Sequence, residues 1–206
     1  MRLTIKNKTM NKDELLKIYS AYLPYKTPIT LASEAYNYDG LTTILSPHYL
    51  LDWQRNKCKI SLHLWDLSYL TKEIEHEGER FVPMIKLLEL QETNHFSKNP
   101  IIKNANTFNP DKIIDCKSET FKIHPNEMTE HKVRYLVETS NMGTLIYSLT
   151  YDEHFDRFFM ADETRNVILG VGHQRQMFEK LYEWKLNVFG LPESEYINKA
   201  TLTKLN

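Results

Sequence analysis

Apolar positions recur with helical spacing between Asn11 and Leu23, where Leu15, Leu16, Ile18, Tyr19, Tyr22 and Leu23 share one face. Asn11 or Asp13 can cap that helix, and Pro24 ends it because proline donates no hydrogen bond to the ladder. The period then shortens. Pro28 to Leu31 and Leu41 to Leu45 are short β-branched runs flanking a turn-prone Asn37-Tyr38-Asp39-Gly40. Lys57 to Leu64 alternates, with Cys58, Ile60, Leu62 and Leu64 on one face, as a half-buried strand requires. Ser46 to Trp53 predicts a short helix between these strands.

Asp66 to Leu90 is the densest stretch of local instruction. Ser68 or Thr71 can cap a turn, and Glu77-Gly78 divides Lys72–His76 from Glu79–Val82 as a hairpin. Pro83 suits the first position of a helix carrying Met84, Ile85, Leu87, Leu88 and Leu90. Asn94 to Ser118 is rich in asparagine and contains Pro100 and Pro110, which predicts a long loop or insertion. Strands are expected at Thr120–His124, Lys132–Glu138, Thr144–Tyr151, Phe155–Met160 and Asn166–Val171. The last two read as a hairpin joined by the polar Ala161–Arg165 segment. Gly172 to Phe189 predicts a helix with Met177, Phe178, Leu181, Trp184 and Val188 on its apolar face, stopped by Gly190. Strands and helices without strict alternation predict an α+β fold with a mixed or antiparallel sheet, read as a single domain over residues 1–206.

Composition narrows the picture little. Hydrophobic residues are 41% and charged residues 26% of 206, values that argue against global disorder. The formal net charge of -1 provides no general attraction to nucleic acid or anionic membrane. Cys58 and Cys116 cannot build a disulfide framework, and neither has a nearby cysteine for zinc or redox work. No apolar stretch has signal-peptide or membrane-spanning length, so the expectation is a protein inside a cell, with no membrane partner. No cofactor is implied, and oligomeric state is not legible beyond the general prior for a symmetric homo-oligomer.

Three groups of residues could carry chemistry. Gly170, Gly172, His173 and Arg175 follow a strand and open a helix, where amides and added positive charge can hold phosphate. That pattern lacks the third glycine and the later acidic residue of a dinucleotide site, and a tight structural strand-to-helix turn is the plainer account of it. His124, Glu127, Glu130 and His131 are metal-ligand types without a recognised metal spacing; they support a metal-dependent nucleotide hydrolase as one alternative. Tyr36, Tyr38, Trp53, Trp65 and Trp184 could stack on a base where exposed, although most aromatic area is expected in the core. Glu73, Glu75, Glu77 and Glu79 alternate as a solvated acidic edge. Spacing defines no nucleophile–base arrangement, because such partners meet only in the fold.

Three blocks, Glu14–Tyr25, Leu67–Pro83 and Phe178–Leu191, resemble in order a family of uncharacterised proteins encoded by bacteriophages and prophages. The resemblance implies a viral origin and a place of action in the cytoplasm of an infected bacterium. It transfers no catalytic motif. What it implies is a non-enzymatic accessory protein that binds a host component, one form being a sponge that sequesters a nucleotide-derived immune signal. A protein–protein inhibitor of a host factor is a further alternative.

Overall fold

The computed structural model describes residues 10–95, 109–123, 126–139 and 142–202, with the backbone alone for 92–95, 123 and 126. The first half holds α1 (Lys12–Tyr22), β1 (Pro28–Ser33), β2 (Tyr38–Ile44), α2 (Pro47–Gln54) and β3 (Lys59–Leu64). A hairpin of β4 (Ile74–His76) and β5 (Glu79–Phe81) follows, then α3 (Pro83–His95). Next come β6 (Ile113–Ile123), β7 (Asn126–Thr139), β8 (Gly143–Asp152), β9 (Arg157–Asp162) and β10 (Val167–Leu169). The chain ends in α4 (Gln174–Glu183), β11 (Tyr196–Asn198) and α5 (Lys199–Leu202). The fold is α+β. No described helix is long and apolar enough to cross a membrane.

The chain forms two compact units, one built from Ser68–Phe178 and the other from Ile5–Leu67 with Glu179–Asn206, each counted over its described residues. In the second of these a four-stranded mixed sheet runs β11-β3-β1-β2, with β11 parallel to β3 and the other pairs antiparallel. Helix α1 starts with a capping box, in which Asn11 accepts from the Glu14 amide and Glu14 accepts from the Asn11 amide. Its buried residues Leu15, Ile18, Tyr19 and Tyr22 follow helical spacing and join Ile29, Leu31, Ile60, Leu62 and Trp53 in one core. The two tyrosine hydroxyls are not stranded there: Tyr19 donates to Glu195 at 3.0 Å and Tyr22 donates to the Leu186 carbonyl.

A one-residue irregularity in this sheet has a consequence for the surface. Leu31 lies opposite Leu41, but Ala32 lies opposite Asp39, so Gly40 is an extra residue in β2 and takes φ +76°. Strand faces alternate, and cross-strand partners share a face. Without the bulge Asp39 would oppose Ser33; with it, Tyr38 does, on the same face as Leu31.

The other unit is a five-stranded antiparallel meander, β10-β9-β8-β7-β6, together with the β4–β5 hairpin. The Glu77-Gly78 turn has φ +52° and +83°, the two positive values that a tight primed hairpin turn needs. Pro83 opens α3, whose Met84, Leu87 and Leu88 are fully buried. One sheet face contributes Val133, Tyr135, Val137, Leu145, Leu149 and Met160 to the core. The acidic residues Glu73, Glu75, Glu77 and Glu79 are exposed, as the alternation predicts. Arg80 lies 3.5 Å from Glu73 and 3.7 Å from Glu75.

Two sequence expectations change. The segment read as loop from 94 to 118 ends in strand: Ile113–Ser118 is the first half of β6, whose partner β7 overrides the turn propensity of the asparagines preceding it. Residues 96–108 lie outside the described part. The helix predicted from Gly172 to Phe189 is shorter, spanning Gln174–Glu183. Lys185, left-handed at φ +62°, stops it; Gly190, also left-handed at φ +61°, lies beyond that stop. The Leu186 amide then donates to Leu181 at 2.9 Å and the Lys185 amide to Tyr182 at 3.0 Å, the two bonds of a Schellman stop. Leu186 goes on to bridge Trp65, so Trp184 and Val188 are buried without belonging to the helix.

Candidate functional site

Gly170, Gly172 and His173 lie in the turn between β10 and α4, and Arg175 is the second residue of α4. Both glycines and Arg175 are exposed and His173 is half-buried. Neither glycine has a positive φ, and a Cβ built on either meets nothing within 4 Å. The glycines are therefore demanded neither by backbone geometry nor by close approach. Gln174, the first helical residue, accepts from the Phe158 amide at 2.9 Å and donates to the Phe158 carbonyl, which anchors the helix start to β9.

The acidic and histidine group divides between two faces of β7. Glu127 and His131 point to one side and Glu130 to the other, because strand neighbours alternate. Glu127 lies 3.6 Å from Lys122, and Glu130 lies 3.7 Å from Lys132. His124 lies outside the described residues, and among those described no three His, Cys, Asp or Glu side chains group as a metal site.

His131 instead occupies the middle of a hydrogen-bonded chain. Register places Ser118 and Tyr151 on either side of it. Ser118 Oγ lies 2.7 Å from Nδ1, Glu153 Oε1 lies 2.6 Å from Nε2, and Thr71 Oγ1 lies 2.7 Å from Ser118 Oγ. The His131 ring stacks on Tyr151 at 6.1 Å and is only 1% exposed. Hydroxyl, imidazole and carboxylate in series are the parts of a nucleophilic relay. Here both ring nitrogens are filled, and the serine hydroxyl is shared with Thr71, so the series closes on itself. It links the 3-10 turn at Leu67–Thr71, β6, β7 and the turn after β8.

The exposed aromatic pair flagged in the sequence, Tyr36 and Tyr38, lies at an open cleft instead. The cleft is shallow and open to solvent, and is lined by Leu31, Tyr36, Tyr38, His48, Tyr49, Asp52 and Cys58. Local structure explains each wall. The Gly40 bulge brings Tyr38 onto Leu31's face, and its ring lies 5.8 Å from that of Tyr36 at 32°. Ser33 Oγ accepts from the Tyr36 amide at 3.3 Å and donates to the Lys57 carbonyl at 2.5 Å, tying this wall to the chain entering β3.

Helix α2 forms the facing wall. Ser46 caps it and Pro47 occupies its first turn. His48 and Asp52 are four residues apart and so share a face, with Nε2 3.4 Å from Oδ2. The helix ends in a second Schellman stop: Asn56 is left-handed at φ +58°, its amide donates to Trp53, and the Lys57 amide donates to Asp52 at 2.9 Å. That stop carries Lys57 beside the cleft, with Nζ 3.9 Å from Asp52 and 3.5 Å from the Tyr36 hydroxyl.

Asp52 is the unusual member. It is 5% exposed, yet its carboxylate has no partner closer than His48 at 3.4 Å among the described residues. Charge-assisted bonds normally close to about 2.7–2.9 Å. Burial, followed by the charge of Asp52, pushes the Cys58 thiol above its ordinary value, so that thiol lines the cleft in its neutral form. The other cysteine is further from reactivity, since burial and then Asp115 push the Cys116 thiol up to about 12.

The cleft therefore combines flat aromatic walls, a buried acceptor and a rim ammonium. Sequence reading named Tyr36 and Tyr38 but missed His48, Tyr49, Asp52 and Lys57. The available signal was His48-x-x-x-Asp52 on one face of a short capped helix, close in sequence to the tyrosine turn. No family model matches this chain, and no curated protein or solved structure matches it significantly.

Proposed function

We propose that this protein binds a small nucleotide-type ligand in the Tyr36–Tyr38–Tyr49 cleft and holds it without chemical change. The carrying observation is the cleft itself: tyrosine rings line it beside a buried carboxylate that lacks a close partner. Stacking on aromatic rings favours any planar base by about 1–3 kcal/mol. The neutral Cys58 thiol is poorly suited to act as a nucleophile. Together with the resemblance of three sequence blocks to phage proteins, these features support an accessory protein that sequesters a nucleotide signal of the bacterial host. The cleft carries this reading in preference to the Gly170–Arg175 turn, whose open glycines form no cradle.

The test is calorimetric titration with a panel of mononucleotides and short cyclic nucleotides, followed by heat release and chromatography. Binding with ligand recovered intact is the expected result. Absence of binding across the panel, or recovery of a cleaved product, contradicts the reading.

A further inference from the structure

Resting on that reading, we infer that the cleft selects a base whose edge presents two adjacent N–H donors, the guanine pattern, and that Asp52 makes the selection. A buried carboxylate is costly unless its oxygens are satisfied by donors. Asp52 has charge balance nearby but no tight hydrogen bond: His48 Nε2 is 3.4 Å from Oδ2 and Lys57 Nζ is 3.9 Å from Oδ1. Both oxygens can therefore accept from an incoming ligand. The ring nitrogen N–H and the exocyclic amino group of guanine are adjacent and roughly parallel, which suits two-point bonding to one carboxylate.

The competing occupant for an aromatic cleft with an acid is an organic cation. Lys57 argues against it. Its ammonium already stands beside both Asp52 and the Tyr36 hydroxyl, so a second positive charge would be repelled. A neutral donor edge meets no such penalty. The same ammonium lies at the rim, where it can accompany a phosphate. Adenine would present an acceptor nitrogen to the carboxylate, and a site built for donors rejects such an edge strongly.

The experiment compares GMP, IMP, AMP, CMP, UMP and choline on the intact wild-type chain and on Asp52→Asn. The expected order is GMP first, IMP weaker because it lacks the 2-amino group, and AMP at least tenfold weaker than GMP. Asp52→Asn should lose at least tenfold in GMP affinity while AMP changes by less than threefold. A thermal melt of the variant separates altered binding from altered folding; Asp52→Glu serves as a second variant that keeps the charge and should retain part of the preference. Equal affinity for all nucleotides, or an unchanged preference in Asp52→Asn, overturns the inference while leaving the nucleotide cleft intact. Choline binding in preference to GMP overturns it in favour of a cation site. No binding of any nucleotide overturns both this inference and the function on which it rests.

Discussion

Two places in this protein assemble the same side-chain types to opposite ends. His48, Asp52 and Tyr49 line the open cleft; His131 and Glu153, with Tyr151 stacked on the imidazole, belong to the closed chain that joins β6, β7 and the turn after β8. In the closed chain each contact is 2.6–2.7 Å and both imidazole nitrogens are occupied. In the cleft the nearest contacts to the carboxylate are 3.4 and 3.9 Å, and the His48 side chain is 76% exposed. Hydrogen-bonding capacity consumed inside the fold contributes stability, whereas capacity left open beside a concave aromatic surface remains for a ligand. Composition alone does not separate the two cases; distances do.

The comparison breaks most easily at His131. Replacing it with alanine leaves Glu153 and the Ser118 hydroxyl without their shared partner, and should destabilise the fold by about 3 kcal/mol. Urea denaturation measures this, and nucleotide affinity of the folded fraction should change less than twofold. A loss well under 1 kcal/mol would remove the structural role given to the chain. The reverse pattern is expected for Tyr38→Ala, since Tyr38 is 38% exposed and lies outside the buried core: binding weakens by about 1–3 kcal/mol while the melting temperature falls far less than for His131→Ala. Calorimetry beside a thermal melt distinguishes the two outcomes.

Gly40→Ala probes the same wall through the backbone. At φ +76° an alanine is strained, so about 1 kcal/mol of stability is lost, and ligand affinity falls as Tyr38 is displaced. A variant that retained full affinity would dissociate the bulge from the site. A smaller effect concerns acid. Burial, then the Lys199 charge, hold the His63 imidazole below its ordinary 6.5. The unfolded chain therefore binds more protons as pH falls below about 6.5, and the unit containing the cleft loses stability until the folded pKa is reached. Melting curves from pH 7.5 to 5 should show a shallower decline for His63→Gln than for the wild type; identical slopes would exclude His63 as the cause. Finally, a fluorophosphonate probe should not label Ser118, because its hydroxyl is shared by Thr71 and His131. Labelling abolished by Ser118→Ala would turn the closed chain into a nucleophilic site.

The elements most legible in the sequence are those dictated by neighbours in the chain. The Asn11 helix cap, the Glu77-Gly78 turn and the Pro83 helix start all depend on local backbone chemistry. Stops made by non-glycine residues were not legible: Lys185 and Asn56 become left-handed because the following strand or bridge draws the chain away, a tertiary effect. The early start of β6 was hidden by asparagine and proline, whose turn propensity yields to pairing with β7. The Ser118–His131–Glu153 chain depends on strand register, which sequence spacing does not reveal. At the cleft, the tyrosines were visible as aromatics. Their meeting with Asp52 required the Gly40 bulge and the α2 terminus together.

The most direct test of the cleft as the binding site is an amide chemical-shift titration of the labelled protein with GMP. The account predicts saturable shifts concentrated on residues 33–40 and 46–58, with residues 170–175 unmoved. Shifts centred on 170–175, with the tyrosine turn and α2 unaffected, would contradict it and return the site to the glycine turn.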